Sequence, residues 1–226
     1  MKNSLPVVCP SCGKQFPQAT TGSQLPEHVD CPQCKARIYN ISPLGNFVTS
    51  LLMHRAYQEL QNEDVTLAVI LSAVAVEGQM AYLFFKWKKI DSFTFDIAEQ
   101  WEKDWTEMRS IAKRMDELSK FLTGISFDSF AQQKKILIAS ALDEGHYDSA
   151  TSFRDFFQEQ FFERRNKIVH YGEIDFQESD GKLSLTIASS LISLLNAMDQ
   201  KRIAQMDEKH KKAIESPPPG DMGYQN

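Results

Sequence analysis

The feature that most constrains this chain is where its sulfur lies. All four cysteines fall in the first 34 residues, as Cys9-Pro10-Ser11-Cys12 and Cys31-Pro32-Gln33-Cys34, with eighteen residues between the pairs. A two-residue gap lets both thiolates of a pair reach one tetrahedral ion, and two such knuckles at this spacing match structural zinc. Two disulfides are the alternative, but they suit an exported chain. The opening residues Met1 to Pro6 run into Cys9 too soon to hold the apolar stretch of a signal peptide. The expectation is therefore a cytoplasmic protein with one zinc per chain, held by Cys9, Cys12, Cys31 and Cys34. Four thiolates close the coordination sphere and leave no open position. Such an ion is structural, and no catalytic metal is expected.

The paired knuckles resemble those of a zinc ribbon, which implies a small β-type module over residues 1–42 with Phe16, Ile38 and Tyr39 in its core. Its charge is not decisive. Lys2, Lys14, Lys35 and Arg37 stand against Glu27 and Asp30, a surplus of two basic groups. Zinc with four thiolates formally adds two negative charges and cancels it. A module that packs on the rest of the chain, or recruits a partner, is as good a reading as one that grips nucleic acid.

At 226 residues the chain has room for one mid-sized core beside such a module. Hydrophobic residues at 42% and charged residues at 24% are ordinary globular values. A net charge of −5 argues against a broad basic surface for long duplex nucleic acid, though not against a local basic site. No apolar run is read as a membrane span. P-loop, dinucleotide-binding glycine, nucleophile-elbow and His-rich metal patterns are missing.

Ser42-Pro43-Leu44-Gly45 marks a boundary, beyond which the pattern predicts an all-α bundle over residues 45–214. Phe47 to Gln61 is amphipathic through Leu51, Leu52, Arg55 and Leu60. Asn62-Glu63-Asp64 offers a cap for a helix to about Lys89 that is apolar on most sides, hence central. Its small residues Ser72, Ala73, Ala75 and Gly78 would admit a close neighbour. Glu77 lies on its apolar face, where a carboxylate needs a cation, and Arg164 is the expected partner. Residues 91–124 predict one long helix through Trp101, Trp105, Met108, Ile111, Met115, Leu118 and Leu122. Phe127 to Leu142 predicts another. A hairpin is expected around Ser179-Asp180-Gly181, then a helix from Leu185 to Ile214. Ser216-Pro217-Pro218-Pro219-Gly220 cannot continue it, and residues 215–226 read as a disordered tail.

Between these elements an apolar-striped helix runs from about Ser149 to Gly172. Phe153, Phe157, Phe161, Arg164 and Ile168 share one side at a 3.6-residue period, whereas Asn166 and His170, four apart, share the accessible one. Arg165 lies between. An imidazole can trade protons near neutrality, and a guanidinium offers a planar fork of donors to a phosphate.

Arg165-Asn166, three residues and His170 resemble the R-N-x-x-x-H core of HEPN domains, with an echo in Ala73-Val74-Ala75-Val76-Glu77. The resemblance implies an all-helical fold and metal-independent cleavage of RNA by its own 2′-hydroxyl. In that scheme His170 is the general acid or base, Arg165 stabilises the phosphate, and Asn166 orients either. On a straight helix Arg165 and His170 point about 140° apart, so either the last turn distorts near Gly172 or two chains pair and the motifs converge; the resemblance implies the second, with both motifs lining one cleft. The rival expectation is a module of the same fold that binds RNA, a nucleotide or a protein without turnover, with the ribbon engaging an inhibitor or recruiter. A third makes the ribbon itself the recruiter and the helical part a dimeriser.

Overall fold

Beyond Pro43 apolar residues recur at helical spacing, and the computed structural model is mainly helical there. It describes residues 6–8, 15–17, 28–30, 32, 33, 35, 37–39, 43–91, 98–172 and 174–215. The first helix, α1 (Pro43–Gln61), starts four residues before the sequence pattern suggested. Proline suits that first position, because a helix leaves its first N–H groups unbonded anyway. Glu63 then takes a left-handed turn at φ 65° and reverses the chain. Asp64, rather than Asn62, caps α2 (Val65–Asp91) by accepting the Leu67 N–H at 2.9 Å.

Helix α2 is central, as its all-round apolar pattern predicts. Val69, Ala73, Ala75, Val76 and Leu83 are fully buried. It packs on α1 and on the long α9 (Glu178–Glu215). Of its small residues, Ser72, Ala73 and Ala75 are buried, whereas Gly78 faces open space.

A ladder of polar groups crosses these three helices. The Thr49 hydroxyl donates to Gln79 Oε1 at 2.9 Å, and the Gln79 amide donates to Asn196 Oδ1 at 3.1 Å. Further along, the Asp199 carboxylate takes Lys86 Nζ at 2.7 and 2.8 Å and the Trp87 indole N–H at 2.6 Å. Burial pushes the Lys86 ammonium below the usual lysine range, against the opposing pull of Asp199. Arg202 reaches Asp91 at 2.7 Å. Each rung fits one register of α2 against α9.

The remaining helices are shorter than periodicity alone predicts. The stretch 91–124 contains two of them, α3 (Ala98–Glu107) and α4 (Ile111–Thr123). Ser110 starts the second by accepting the Lys113 N–H, and Gly124 at φ 78° ends it. Asparagine-free as this break is, a serine followed by an apolar run suffices for it. Phe127 to Leu142 likewise divides into α5 (Phe127–Gln133), a 3-10 turn at Lys135–Leu137 and α6 (Ala139–Glu144). Phe127 and Phe130 from this region meet Leu122 and Leu185 in the core.

The motif helix also departs from regularity. After its Ser152 cap come α7 (Phe153–Phe157), a π-helical turn at Gln158–Phe162 and α8 (Glu163–Tyr171). Within the wide turn the adjacent Phe161 and Phe162 are both buried. The expected hairpin at Ser179-Asp180-Gly181 is replaced by the first turn of α9. Asp180 Oδ2 accepts the Gln177 N–H at 2.9 Å, a side chain reaching back to the residue before the helix. Gly181 lets α9 approach closely there, since a Cβ would lie 2.6 Å from Leu60 Cδ1 and 3.1 Å from Val65 Cγ1 and would push the Leu60 side chain aside.

Near the N-terminus β1 (Pro6–Val8) pairs antiparallel with β2 (Gln15–Pro17), and β3 (His28–Asp30) with β4 (Arg37–Tyr39). In sequence each cysteine pair falls between the two strands of a hairpin. The expected zinc ligands Cys9, Cys12, Cys31 and Cys34 themselves lie outside the described residues, as does the tail from 216. Contrary to the sequence reading, two helices are long and apolar enough to cross a membrane: Val65–Asp91 and Glu178–Glu208. Those windows are 56% and 67% buried inside the fold, a property core helices share.

Candidate functional site

The π turn decides which arginine faces α2. Two regular turns beyond Phe157 would place Arg164 on the Phe side; one additional residue in a turn moves that position to Arg165. The expected Glu77–Arg164 pair is therefore incorrect. Arg165 Nε stands 3.6 Å from Glu77 Oε1, and the two side chains are about one-quarter exposed.

Arg164 is turned instead toward α9, where its Nη1 bonds Asp180 Oδ1. One carboxylate thus holds the first turn of α9 and the motif helix together. The sequence signal for this role was a carboxylate at the third helical position, masked by the turn-like Ser-Asp-Gly around it.

Arg165 is only half-satisfied by its neighbours. Its Nη1 donates to the Asn166 side-chain oxygen at 3.0 Å. Its Nε is shielded from solvent yet lies too far from Glu77 for a hydrogen bond. Asn166, half-buried rather than freely accessible, spends its oxygen on Arg165, and among the described residues its amide donors have no partner. The guanidinium is thereby oriented from two sides without being saturated.

His170 stands in the last turn of α8, exposed as expected. Among the described residues no hydrogen bond or ion pair engages its ring. From Glu163 to Tyr171 the helix is regular, and Gly172 closes it at φ 66° with its N–H on the Ile168 carbonyl at 3.0 Å. The last turn therefore does nothing to bring His170 round to Arg165. A half-exposed apolar strip borders the pair: Val169 lies one turn beyond Arg165, and Val74 one turn before Glu77, at 50% and 39% exposure.

The motif lies at an open surface. A cavity lined by Tyr57, Leu60, Glu144, Lys182, Leu185 and Thr186 contains none of its residues. Among the described residues no group of three or more His, Cys, Asp or Glu side chains is placed to hold a metal. No family model, curated protein or solved structure matches the chain.

Proposed function

We propose that this protein is a metal-independent endoribonuclease of HEPN type with an N-terminal zinc ribbon. The observation that carries the reading is the pre-set Arg165, hydrogen-bonded to Asn166 and facing Glu77, beside an unengaged His170 on the same short helix. RNA brings its own nucleophile, so the protein needs to supply proton transfer and charge stabilisation alone. One imidazole takes the proton of the 2′-hydroxyl as its oxygen bonds to the adjacent phosphorus. The bond from phosphorus to the 5′-oxygen breaks, and a second imidazolium protonates that oxygen. The products are a 2′,3′-cyclic phosphate and a 5′-hydroxyl. Arg165 neutralises charge on the phosphorane oxygens through its planar fork.

Two imidazoles require two copies. The regularity of α8 favours this, because Arg165 and His170 of one chain stay about 140° apart. A two-fold homodimer seated on the Val74 and Val169 strip would put each His170 near the other copy's Arg165. For the N-terminal module, strands that bracket each cysteine pair suit a zinc ribbon, in which Cys9, Cys12, Cys31 and Cys34 would hold the ion. Its place in the reading is to fold that module and present it to a recruiter or inhibitor.

The test is incubation of purified protein with total RNA in EDTA, beside His170→Ala. Cleavage that survives EDTA and vanishes in the variant supports the proposal; cleavage abolished by EDTA defeats it. Metal analysis should find about one zinc per chain, and Cys31→Ala should unfold the module while leaving the helices intact. A second reading draws on Arg165 being tied within its own chain: a binding module that holds RNA or a protein without turnover. Wild-type protein that binds RNA and never cuts it would select that reading.

A further inference from the structure

Next to His170 the chain holds an aromatic ring in the open. Tyr171 is the last residue of α8 and is 83% exposed. Gly172 turns the backbone away immediately, so no further helical turn covers the ring. Among the described residues no hydrogen bond, ion pair or ring contact engages Tyr171. Tyr147 shows the contrast: its hydroxyl donates to the Thr151 carbonyl at 2.7 Å and its ring stacks on Phe153 at 5.0 Å. Ile174, just past the turn, is 71% exposed. An apolar ledge therefore extends from the proposed acid–base group into solvent.

We propose that Tyr171 is a stacking platform for an unpaired nucleobase of the RNA, beside the proposed acid–base group. The inference rests on the endoribonuclease reading and adds the residue that holds a base beside the reacting ribose. Three arguments converge on an unpaired base. The first is position: a group that exchanges a proton with a ribose or phosphate oxygen has that nucleotide's base within one side chain's reach. Electrostatics is the second. With a net charge of −5, and Arg165 the one guanidinium among the described residues placed for the reacting phosphate, contacts to the rest of the RNA backbone supply little affinity. Stacking is nearly indifferent to charge, and every base has a face to offer. The third is the reaction itself. Attack by the 2′-oxygen needs that oxygen, phosphorus and the leaving 5′-oxygen in line, which regular A-form stacking prevents. A base splayed onto an aromatic ring frees its ribose to reach that alignment, and single strands and loops permit it.

The test uses full-length protein carrying His170→Ala, so that bound RNA stays intact. Its affinity is measured for a fluorescein-labelled single strand of mixed sequence and for the same strand in duplex. Adding Tyr171→Ala should weaken single-strand binding about 5- to 150-fold, the effect of losing one stacked base. Tyr171→Trp and Tyr171→Phe should keep it, and the salt dependence should not change, since no phosphate contact is lost. Equal affinity for Tyr171→Ala, or preference for the duplex, overturns the proposal. Sedimentation runs beside it: if Tyr171→Ala dissociates a dimer, the ring belongs to the interface between copies and the proposal also falls. The two readings can fail separately. Protein that binds RNA through Tyr171 and never cleaves it loses the nuclease reading alone. Protein that cleaves equally well with Tyr171→Ala loses the stacking alone.

Discussion

Helix α2 carries two polar sites, at Glu77 and at Lys86, roughly 14 Å apart along its axis. The Lys86 side chain is 8% exposed, and both of its hydrogen bonds go to Asp199, which also takes the Trp87 indole. Glu77 is 25% exposed, and the Arg165 Nε facing it has no hydrogen bond at all. The first site is closed and saturated, as a buried charge must be if it is not to cost several kcal/mol. The second is oriented yet open. That difference separates a polar group used to fix helix register from one left with capacity for something outside the chain.

The largest effect that can sharpen this contrast is in activity. His170→Ala should lower RNA cleavage about 10²- to 10⁴-fold, the usual contribution of a general acid or base. Arg165→Ala should lower it by a similar order, whereas the exposed Lys167→Ala should leave it nearly intact. Thermal unfolding of the His170 and Lys167 variants should match wild type. A His170→Ala protein with unchanged cleavage would remove the open site's special status.

The closed site should answer in stability. Asp199→Ala leaves the Lys86 ammonium buried without a partner and should cost about 3–5 kcal/mol in urea unfolding. Replacing Lys86 and Asp199 together by Met and Leu should recover much of that loss. A double variant no better than Asp199→Ala would show that the pair is not what holds this rung.

Between these extremes lies Arg164 with Asp180, at 21% and 26% exposure. Partial exposure screens such a pair, so Arg164→Ala and Asp180→Ala should each cost about 1–2 kcal/mol. Asp180→Ala should cost the more, because the Gln177 N–H loses its acceptor as well. Smallest of all is the stability effect of Glu77→Gln, about 1 kcal/mol or less, accompanied by a clear fall in cleavage rate. If unfolding instead drops as far as it does for Asp199→Ala, Glu77 is another register pin and the contrast collapses.

How much of this was legible beforehand differs by scale. The helical class, the central place of α2, the glycine stop at 172 and the exposure of His170 followed from the spacing of apolar residues and helix-ending signals. These are local: a stripe of Val69, Ala73, Val76 and Met80 needs no knowledge of its partner to be recognised as a buried face. The helix expected over 91–124 was overestimated because the Ser110 cap interrupts a continuing apolar pattern, and periodicity is blind to where a backbone N–H finds a better acceptor. The partner of Glu77 was misassigned for a different reason. Which of two adjacent arginines faces a neighbouring helix depends on one additional residue in one turn, and the π turn at Gln158–Phe162 is one in which Phe161 and Phe162 are buried together. That choice is made by packing between helices. The sequence by itself determined that Arg164 and Glu77 needed partners, since charges on apolar stripes must be compensated. Only the tertiary structure decided that Arg165 takes Glu77 and Arg164 takes Asp180, because pairing follows the rotation of α8 about its axis, which the contacts of its neighbours set.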